Sequence, residues 1–169
     1  MRRLVLLLGL LAALALVPTA SAITTSFSAT FRESGGRATA HPCSGDVFFC
    51  GSGTIAGFGR ATDEVVLTYF EPETAFETGC SPLTLLRTIT LTDGSTLVTE
   101  ETGTVCFPGV TFGTPGSFRS YGNPAFFTGT YTIVEGTGVF EGATGSGTSR
   151  FQSAGDVVHT TLSGTITLP

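Results

Sequence analysis

The 169 residues of this chain suffice for one domain, and only 12% of them are charged, with no lysine among them. The formal net charge of −5 disfavours nucleic acids and anionic membrane surfaces as partners, because both repel an acidic chain. The absence of lysine also excludes Schiff-base catalysis.

The first 22 residues have the pattern of a secretory signal peptide. Arg2 and Arg3 give a charged start, residues 4–17 an apolar stretch, and Ala20-Ser21-Ala22 a cleavage site of small residues. This apolar stretch is shorter than the roughly 20 residues that span a membrane. We therefore predict a secreted mature chain, residues 23–169, that forms one domain without a membrane segment. Its six arginines and 13 acidic residues give it a formal charge of −7.

Four cysteines in an exported chain favour two disulfides over free thiols. Three pairings are open, and we favour Cys43 with Cys50 and Cys80 with Cys106. The first pair brackets a short loop, and the second would join a long connection, residues 71–84, to the end of a strand. The cysteine spacing contains no C-x-x-C pair, so we predict no zinc or other metal site, and no cofactor.

Alternation of apolar and polar residues predicts β-strands from residue 23 onward. We predict strands at residues 23–31, 54–60, 61–70, 85–92, 95–106, 127–133 and 156–168, with a further glycine-rich strand from residue 144. Residues 33–42 are predicted to form a polar loop, 71–84 a long connection, and 107–123 a largely irregular segment with one short strand near 110–112. The clearest hairpin turns at Asp93-Gly94.

We count seven to nine strands and find no helical periodicity after residue 22. This pattern predicts an all-β fold, namely a closed antiparallel barrel of about eight strands or, as the alternative, a β-sandwich.

Residues 136–145 form a glycine-rich corner between two strands. Their sequence, Gly-Thr-Gly-Val-Phe-Glu-Gly-Ala-Thr-Gly, resembles the G-T-G-x-F-x-x-A-x-G corner of the dirigent and allene oxide cyclase-like barrel proteins. The resemblance implies an eight-stranded, calycin-like antiparallel barrel similar to the exported bacterial members of that superfamily. It also implies cofactor-free cyclisation or guidance of radical coupling as activities. The matched residues are structural, so the resemblance assigns no catalytic residue.

Arg87 is a charged residue on a predicted strand face that is otherwise apolar. Leu85, Ile89 and Leu91 lie on the same side of its predicted strand, so the pattern places Arg87 on a core-facing surface. An arginine there has two interpretations. It forms an ion pair on the outer wall or at the rim, which contributes little stability, or it forms an Arg–Glu pair in a cavity that orients a ligand.

The partner of Arg87 depends on the hairpin turn. A two-residue turn places Arg87 opposite Glu100, whereas a three-residue turn places it opposite Thr99, with Glu101 as the diagonal neighbour. Both turns offer a carboxylate partner.

Three further residues are candidates for ligand binding. Tyr69 and Tyr131 lie on the more apolar faces of their strands, where a hydroxyl packs against a neighbour or acts as a ligand donor or general acid. Asp63 shares the face of Val65 and is a weaker acid candidate. The chain has no G-x-S-x-G motif, so a hydrolase triad is not predicted.

These observations leave three functional hypotheses. The first is a secreted barrel that binds a small hydrophobic molecule or has an extracellular structural role. The second is a cofactor-free isomerase or cyclase, or a dirigent-like coupling guide, that uses Arg87 with Glu100 or Glu101 and a tyrosine. The third is a cell-surface interaction module that uses its Thr- and Ser-rich outer faces to contact a polymer or another protein.

Overall fold

The computed structural model describes residues 21–35, 43, 45–108, 124–155 and 157–169. The predicted leader, apart from Ser21 and Ala22, and the predicted short strand near 110–112 lie outside these residues. No described helix has the length and apolar character needed to cross a membrane.

The described chain forms a closed barrel of eight antiparallel strands, which confirms the predicted fold and excludes the sandwich. The strands are β1 (Ile23–Gly35), β2 (Phe49–Ile55), β3 (Gly59–Phe70), β4 (Cys80–Leu91), β5 (Thr96–Cys106), β6 (Ala125–Gly136), β7 (Thr144–Ala154) and β8 (Val157–Leu168). Each strand pairs with the next along the chain, and β1 pairs with β8 from Ile23↔Leu168 to Ser34↔Val157. Closure leaves no free sheet edge in the barrel.

Three predictions about the elements are wrong. Residues 33–35 continue β1 instead of starting a loop, and β2 spans residues 49–55 instead of 54–60. The predicted connection 71–84 contains the helix α1 (Pro72–Thr78) and the start of β4, so a helix does follow residue 22. Pro72 favours the start of this helix, and Gly79 ends it in the left-handed conformation that glycine accepts.

Both favoured disulfides are present. Cys43 pairs with Cys50, and Cys80 pairs with Cys106, which lies directly opposite it in the β4–β5 register. Two disulfides indicate folding in an oxidising environment.

The corner after β6 closes one end of the barrel. A short 3-10 turn, Gly138–Phe140, buries Phe140 completely, and its ring centroid lies 4.8 Å from that of Phe58. The Ser95 hydroxyl, next to the β4–β5 turn, accepts a hydrogen bond from the Val139 amide at 3.2 Å. The predicted glycine corner therefore packs a phenylalanine into the barrel end and ties two turns together.

Inward-facing side chains form two apolar cores, one at each end of the barrel. The corner-side core contains Phe27, Ala29, Phe31, Ile55, Ala61, Ile89, Leu91, Leu97, Tyr131, Ile133, Phe140, Ala143, Leu162 and Ile166. The disulfide-side core contains Phe49, Val65, Leu83, Leu85, Val105, Ala125, Phe127, Phe151 and Val158. A layer of polar side chains lies between them along the strands.

Candidate functional site

Arg87 lies inside the barrel, midway along β4 between the inward-facing Leu85 and Ile89. The Leu91 amide donates to the Ser95 carbonyl at 2.9 Å, so the hairpin turn has three residues. Arg87 consequently lies opposite Thr99. The alternative with a two-residue turn, which would place Arg87 opposite Glu100, is wrong.

Three carboxyl groups surround the Arg87 guanidinium. Its Nε donates to Glu101 Oε1 at 2.6 Å, and its Nη1 donates to both Glu33 Oε1 and Asp63 Oδ2. Asp63 is 2% exposed, and the other three residues are completely buried. We call Arg87, Glu33, Asp63 and Glu101 the Arg87 cluster.

Neighbouring strands supply further polar contacts to the cluster. Thr160 Oγ1 on β8 donates to Glu33 Oε2 at 2.7 Å, and Ser149 Oγ on β7 donates to Glu101 Oε2 at 2.6 Å. The Arg87 Cζ lies 5.6 Å from the centroid of the Phe31 ring, which allows a cation–π contact. Six of the eight strands therefore meet at this one charged layer.

Burial and mutual charge shift the pKa values within the cluster. Burial, a hydrogen bond with Glu33 and repulsion from the Glu33 carboxylate raise the pKa of Asp63 to about 8. Burial opposes ionisation of Glu33, but the charge of Arg87 and hydrogen bonds from Asp63 and Thr160 outweigh it and lower the Glu33 pKa. Burial also opposes the charge on Arg87, and the surrounding carboxylates outweigh it and raise the Arg87 pKa. Asp63 therefore carries a proton at neutral pH and shares it with Glu33.

Among the described residues, three buried polar atoms have no hydrogen-bond partner: Asp63 Oδ1, Arg87 Nη2 and Tyr131 Oη. A protonated Asp63 needs fewer donors than a carboxylate, which accounts for the first atom. The other two are donors that a water molecule or a polar ligand atom would satisfy.

The geometry of the Arg87 cluster favours a structural role in the lumen. Arg87, Glu33 and Glu101 have no surface in contact with bulk solvent, because each is completely buried. Their charges form ion pairs with one another, and an apolar core lies on each side of the cluster along the barrel axis. A reacting group would have to displace these contacts to reach the guanidinium.

Glu33 is the member of the cluster that the sequence prediction missed. It lies in the segment 33–42 that we predict to be a loop, although it has the same strand parity as Phe27 and Phe31. Extending the alternation by two residues would have identified it as a second inward-facing charge. The adjacent Arg32 obscured this signal because it made the segment polar on both faces.

The remaining candidate residues do not come together. Glu100 is exposed on the outer wall. Tyr69 is 48% exposed and donates to Glu71 Oε1 at 2.6 Å, because an irregularity between Leu67 and Tyr69 in the β3–β4 register shifts it to the outside. Tyr131 is buried in the corner-side core, where burial raises its pKa to about 12.

Within the described ranges, no group of three or more His, Cys, Asp or Glu side chains is arranged to hold a metal ion. In the Arg87 cluster, the guanidinium occupies the position between the carboxylates that a cation would need.

The outer wall carries an uninterrupted field of hydroxyl groups on four adjacent strands. Every outward-facing position in residues 24–30, 128–132, 144–148 and 161–167 is Thr or Ser. We call these 14 residues the hydroxyl field: Thr24, Ser26, Ser28, Thr30, Thr128, Thr130, Thr132, Thr144, Ser146, Thr148, Thr161, Ser163, Thr165 and Thr167.

The strand register aligns these hydroxyls in rows. One row runs Ser28, Ser163, Thr148, Thr130 across β1, β8, β7 and β6. Adjacent strands lie about 4.8 Å apart, and alternate residues along a strand lie about 6.7 Å apart. The side chains therefore form a regular two-dimensional array.

Comparison with known proteins finds no matching family model, no matching curated protein and no matching solved structure. The resemblance of the 136–145 corner to the dirigent and allene oxide cyclase-like proteins therefore stays a prediction. The inference of function rests on the geometry of this chain alone.

Proposed function

We propose that this protein is a secreted binding module that contacts an extracellular polysaccharide through the hydroxyl field on its outer wall. The observation that carries the proposal is the unbroken Thr and Ser occupancy of 14 adjacent outward positions. Threonine favours strands by itself. However, strand propensity does not require the absence of glutamate, glutamine and arginine from every outward position in residues 24–30, 128–132, 144–148 and 161–167.

The chemistry of the hydroxyl field matches a sugar chain better than a protein partner. Each hydroxyl both donates and accepts hydrogen bonds, as sugar hydroxyls do. Protein interfaces are centred on apolar and aromatic side chains, whereas the exposed apolar residues beside the field on β6, Phe126 and Val134, lie at its two ends. Threonine is stiff about χ1, which lowers the entropy lost when the array binds.

The barrel supplies a rigid support for this surface. The buried Arg87 cluster occupies the middle of the lumen, and the corner-side and disulfide-side cores occupy its two ends. Two disulfides and the predicted signal peptide agree with a place outside the cell.

Pull-down with insoluble polysaccharides tests the proposal. The mature protein is mixed with cellulose, chitin or peptidoglycan, and the fraction depleted from solution is measured. We expect depletion by at least one polymer, and Thr165→Val in the centre of the field, which removes one hydroxyl without adding charge, to weaken it about tenfold, equivalent to about 1.4 kcal/mol.

Thr62→Val is the matched control, because Thr62 is an exposed threonine on β3, outside the hydroxyl field. This variant is expected to bind as the wild type does. The proposal would be contradicted if none of the polymers binds the protein, or if both variants lose the same share of the binding.

One observation favours a second candidate function, the binding of a small molecule in the lumen. The unpartnered Arg87 Nη2 and Tyr131 Oη are buried donors that a polar ligand group would satisfy. Titration of the protein with hydrophobic probes carrying one carbonyl group, followed by NMR of the Tyr131 ring, tests this candidate. Unchanged ring signals at saturating probe would remove it.

A further inference from the structure

We propose that the polysaccharide carries carboxylate groups, and that Arg32, Arg150 and His159 bind them at the edge of the hydroxyl field. This inference rests on the proposed function and specifies its substrate class.

The placement of basic residues on the surface is uneven. The mature chain is strongly acidic, and the described part contains three exposed arginines: Arg32, Arg60 and Arg150. Two of these three lie close to the exposed His159 on adjacent strands. An acidic protein thus concentrates positive charge at one place on its outer wall.

The strand register brings these three residues together. Arg32 on β1 lies directly opposite His159 on β8, and Arg150 on β7 lies opposite Thr161. Directly opposite side chains have Cβ atoms about 5 Å apart, and diagonal neighbours such as Arg150 and His159 are about 7–8 Å apart. Their long side chains therefore reach a common space above β8.

No acidic residue is a direct cross-strand partner of Arg32, His159 or Arg150. Among the outward neighbours in register are Ser52 opposite Arg32, Gln152 opposite His159 and Thr128 opposite Arg150. Glu33 follows Arg32 in sequence but points into the lumen. Within the described ranges every salt bridge involves Arg87, so neither surface guanidinium has a carboxylate within ion-pair distance.

Neither guanidinium has a counter-ion among the described residues, and a carboxylate between Arg32 and Arg150 would be attracted to both. The guanidinium binds carboxylates through two parallel hydrogen bonds. Thr30 and Thr161, which are opposite each other beside the cations, belong to the hydroxyl field. One continuous surface therefore offers hydroxyls for sugar rings and guanidinium groups for their carboxylates.

The occupant that fits this surface is a polymer of uronic acids. Such a chain carries a single charge on each sugar, with neutral hydroxyls between the charges. A nucleic acid is also an anion, but it presents few free hydroxyl groups that could pair with the hydroxyl field.

The test compares polygalacturonate with its fully methyl-esterified form, which has the same sugar chain without the charges. Binding of the mature protein is measured by calorimetry in low and high salt. We expect polygalacturonate to bind about tenfold more tightly than the ester, equivalent to about 1.4 kcal/mol. We also expect this preference to weaken as salt screens the charges.

Arg32→Gln and Arg150→Gln are expected to abolish the preference for polygalacturonate. Arg60→Gln is the matched control, because Arg60 is an exposed arginine on β3, away from His159, and it is expected to retain the preference. Thermal unfolding of each variant verifies that the barrel is intact.

The outcomes separate this inference from the proposed function. Equal binding to polygalacturonate and its ester, unaffected by Arg32→Gln and Arg150→Gln, would overturn the inference and leave polysaccharide binding intact. Tighter binding to poly(glycerol phosphate) or DNA than to polygalacturonate would overturn the carboxylate assignment, and tighter binding to an acidic peptide would overturn the assignment of a uronic acid polymer. Absence of binding to every sugar polymer, neutral or charged, would overturn the proposed function itself.

Discussion

The wholly buried Arg87 is stabilised by its own surroundings and not by solvent. Taking a charge out of water costs several kcal/mol, and close carboxylates with additional hydrogen bonds are needed to offset that cost. Glu101, Glu33 and Asp63 provide the opposite charge, and Thr160 and Ser149 hold two of these carboxyl groups. Loss of any one member would leave the others buried without compensation.

Asp63 makes the stability of the barrel depend on pH. Its pKa is raised from 3.8 to about 8 in the folded state, so the folded protein keeps a proton that the unfolded chain releases. Stability therefore falls as pH rises from about 4 to about 8, by at most about 1.4 kcal/mol per pH unit for one proton. The lowered Glu33 pKa acts in the opposite direction, but only near and below its ordinary value of 4.5.

Asp63→Asn is expected to flatten this dependence, because the amide mimics the protonated carboxyl and does not titrate. Urea unfolding at pH 5, 7 and 9 measures the effect, and the variant should be more stable than the wild type at pH 9. Asp93→Asn is the control: Asp93 is a turn residue with a lowered pKa, so the wild-type slope between pH 5 and 9 should persist. If the stability of the wild type is constant between pH 5 and pH 9, the raised pKa of Asp63 is contradicted.

At the scale of the elements, inward-facing glycines make room for large side chains. Gly147 on β7 lies under Tyr131 of the neighbouring β6, and a Cβ atom there would lie 2.7 Å from Tyr131 Cε1 and also against the Ser163 carbonyl. The glycine-rich pattern of β7 is therefore a packing requirement of β6 and β8.

Gly147→Ala is expected to destabilise the barrel by about 1–3 kcal/mol, because the added methyl group overpacks the core. The change is measured by urea unfolding. Ser146→Ala, at the adjacent exposed position, is the control and should stay within about 0.5 kcal/mol of the wild type. Equal stability of Gly147→Ala and wild type would show that the backbone of β8 and the Tyr131 ring accommodate the methyl group without cost.

At the scale of the whole molecule, ring closure between β1 and β8 joins the two ends of the described chain. Both disulfides lie at the same end of the barrel. Cys80–Cys106 links β4 to β5, and Cys43–Cys50 links the start of β2 to the segment before it. The corner-side end is closed by Phe140 and has no disulfide among its described residues.

Removal of Cys80–Cys106 by paired alanine substitution is expected to cost more than removal of Cys43–Cys50. The bridges span 26 and 7 residues, and loop-closure entropy gives about 3.5 and about 2.4 kcal/mol respectively. Thermal unfolding of the two double variants measures the order. A larger loss from the Cys43–Cys50 pair would mean that local contacts, and not loop length, decide the contribution.

The sequence by itself indicated an all-β chain of about eight strands, the disulfide pairing that we favoured, and an apolar strand face that carries Arg87. These features follow from local rules, since period-two alternation decides which face a side chain occupies and cysteine spacing limits the pairing. It also indicated the Phe140 corner, because glycines around one aromatic residue are typical of a tight, buried turn.

Only the tertiary structure decided what surrounds Arg87 and what the outer wall presents. Glu33 and Arg87 are 54 residues apart and meet only because β1 and β4 face each other across the lumen. The bulge that turns Tyr69 outward, the three-residue turn that selects Glu101, and the alignment of Arg32 with His159 all depend on strand register. Register is a property of paired strands, and a single strand's periodicity does not contain it.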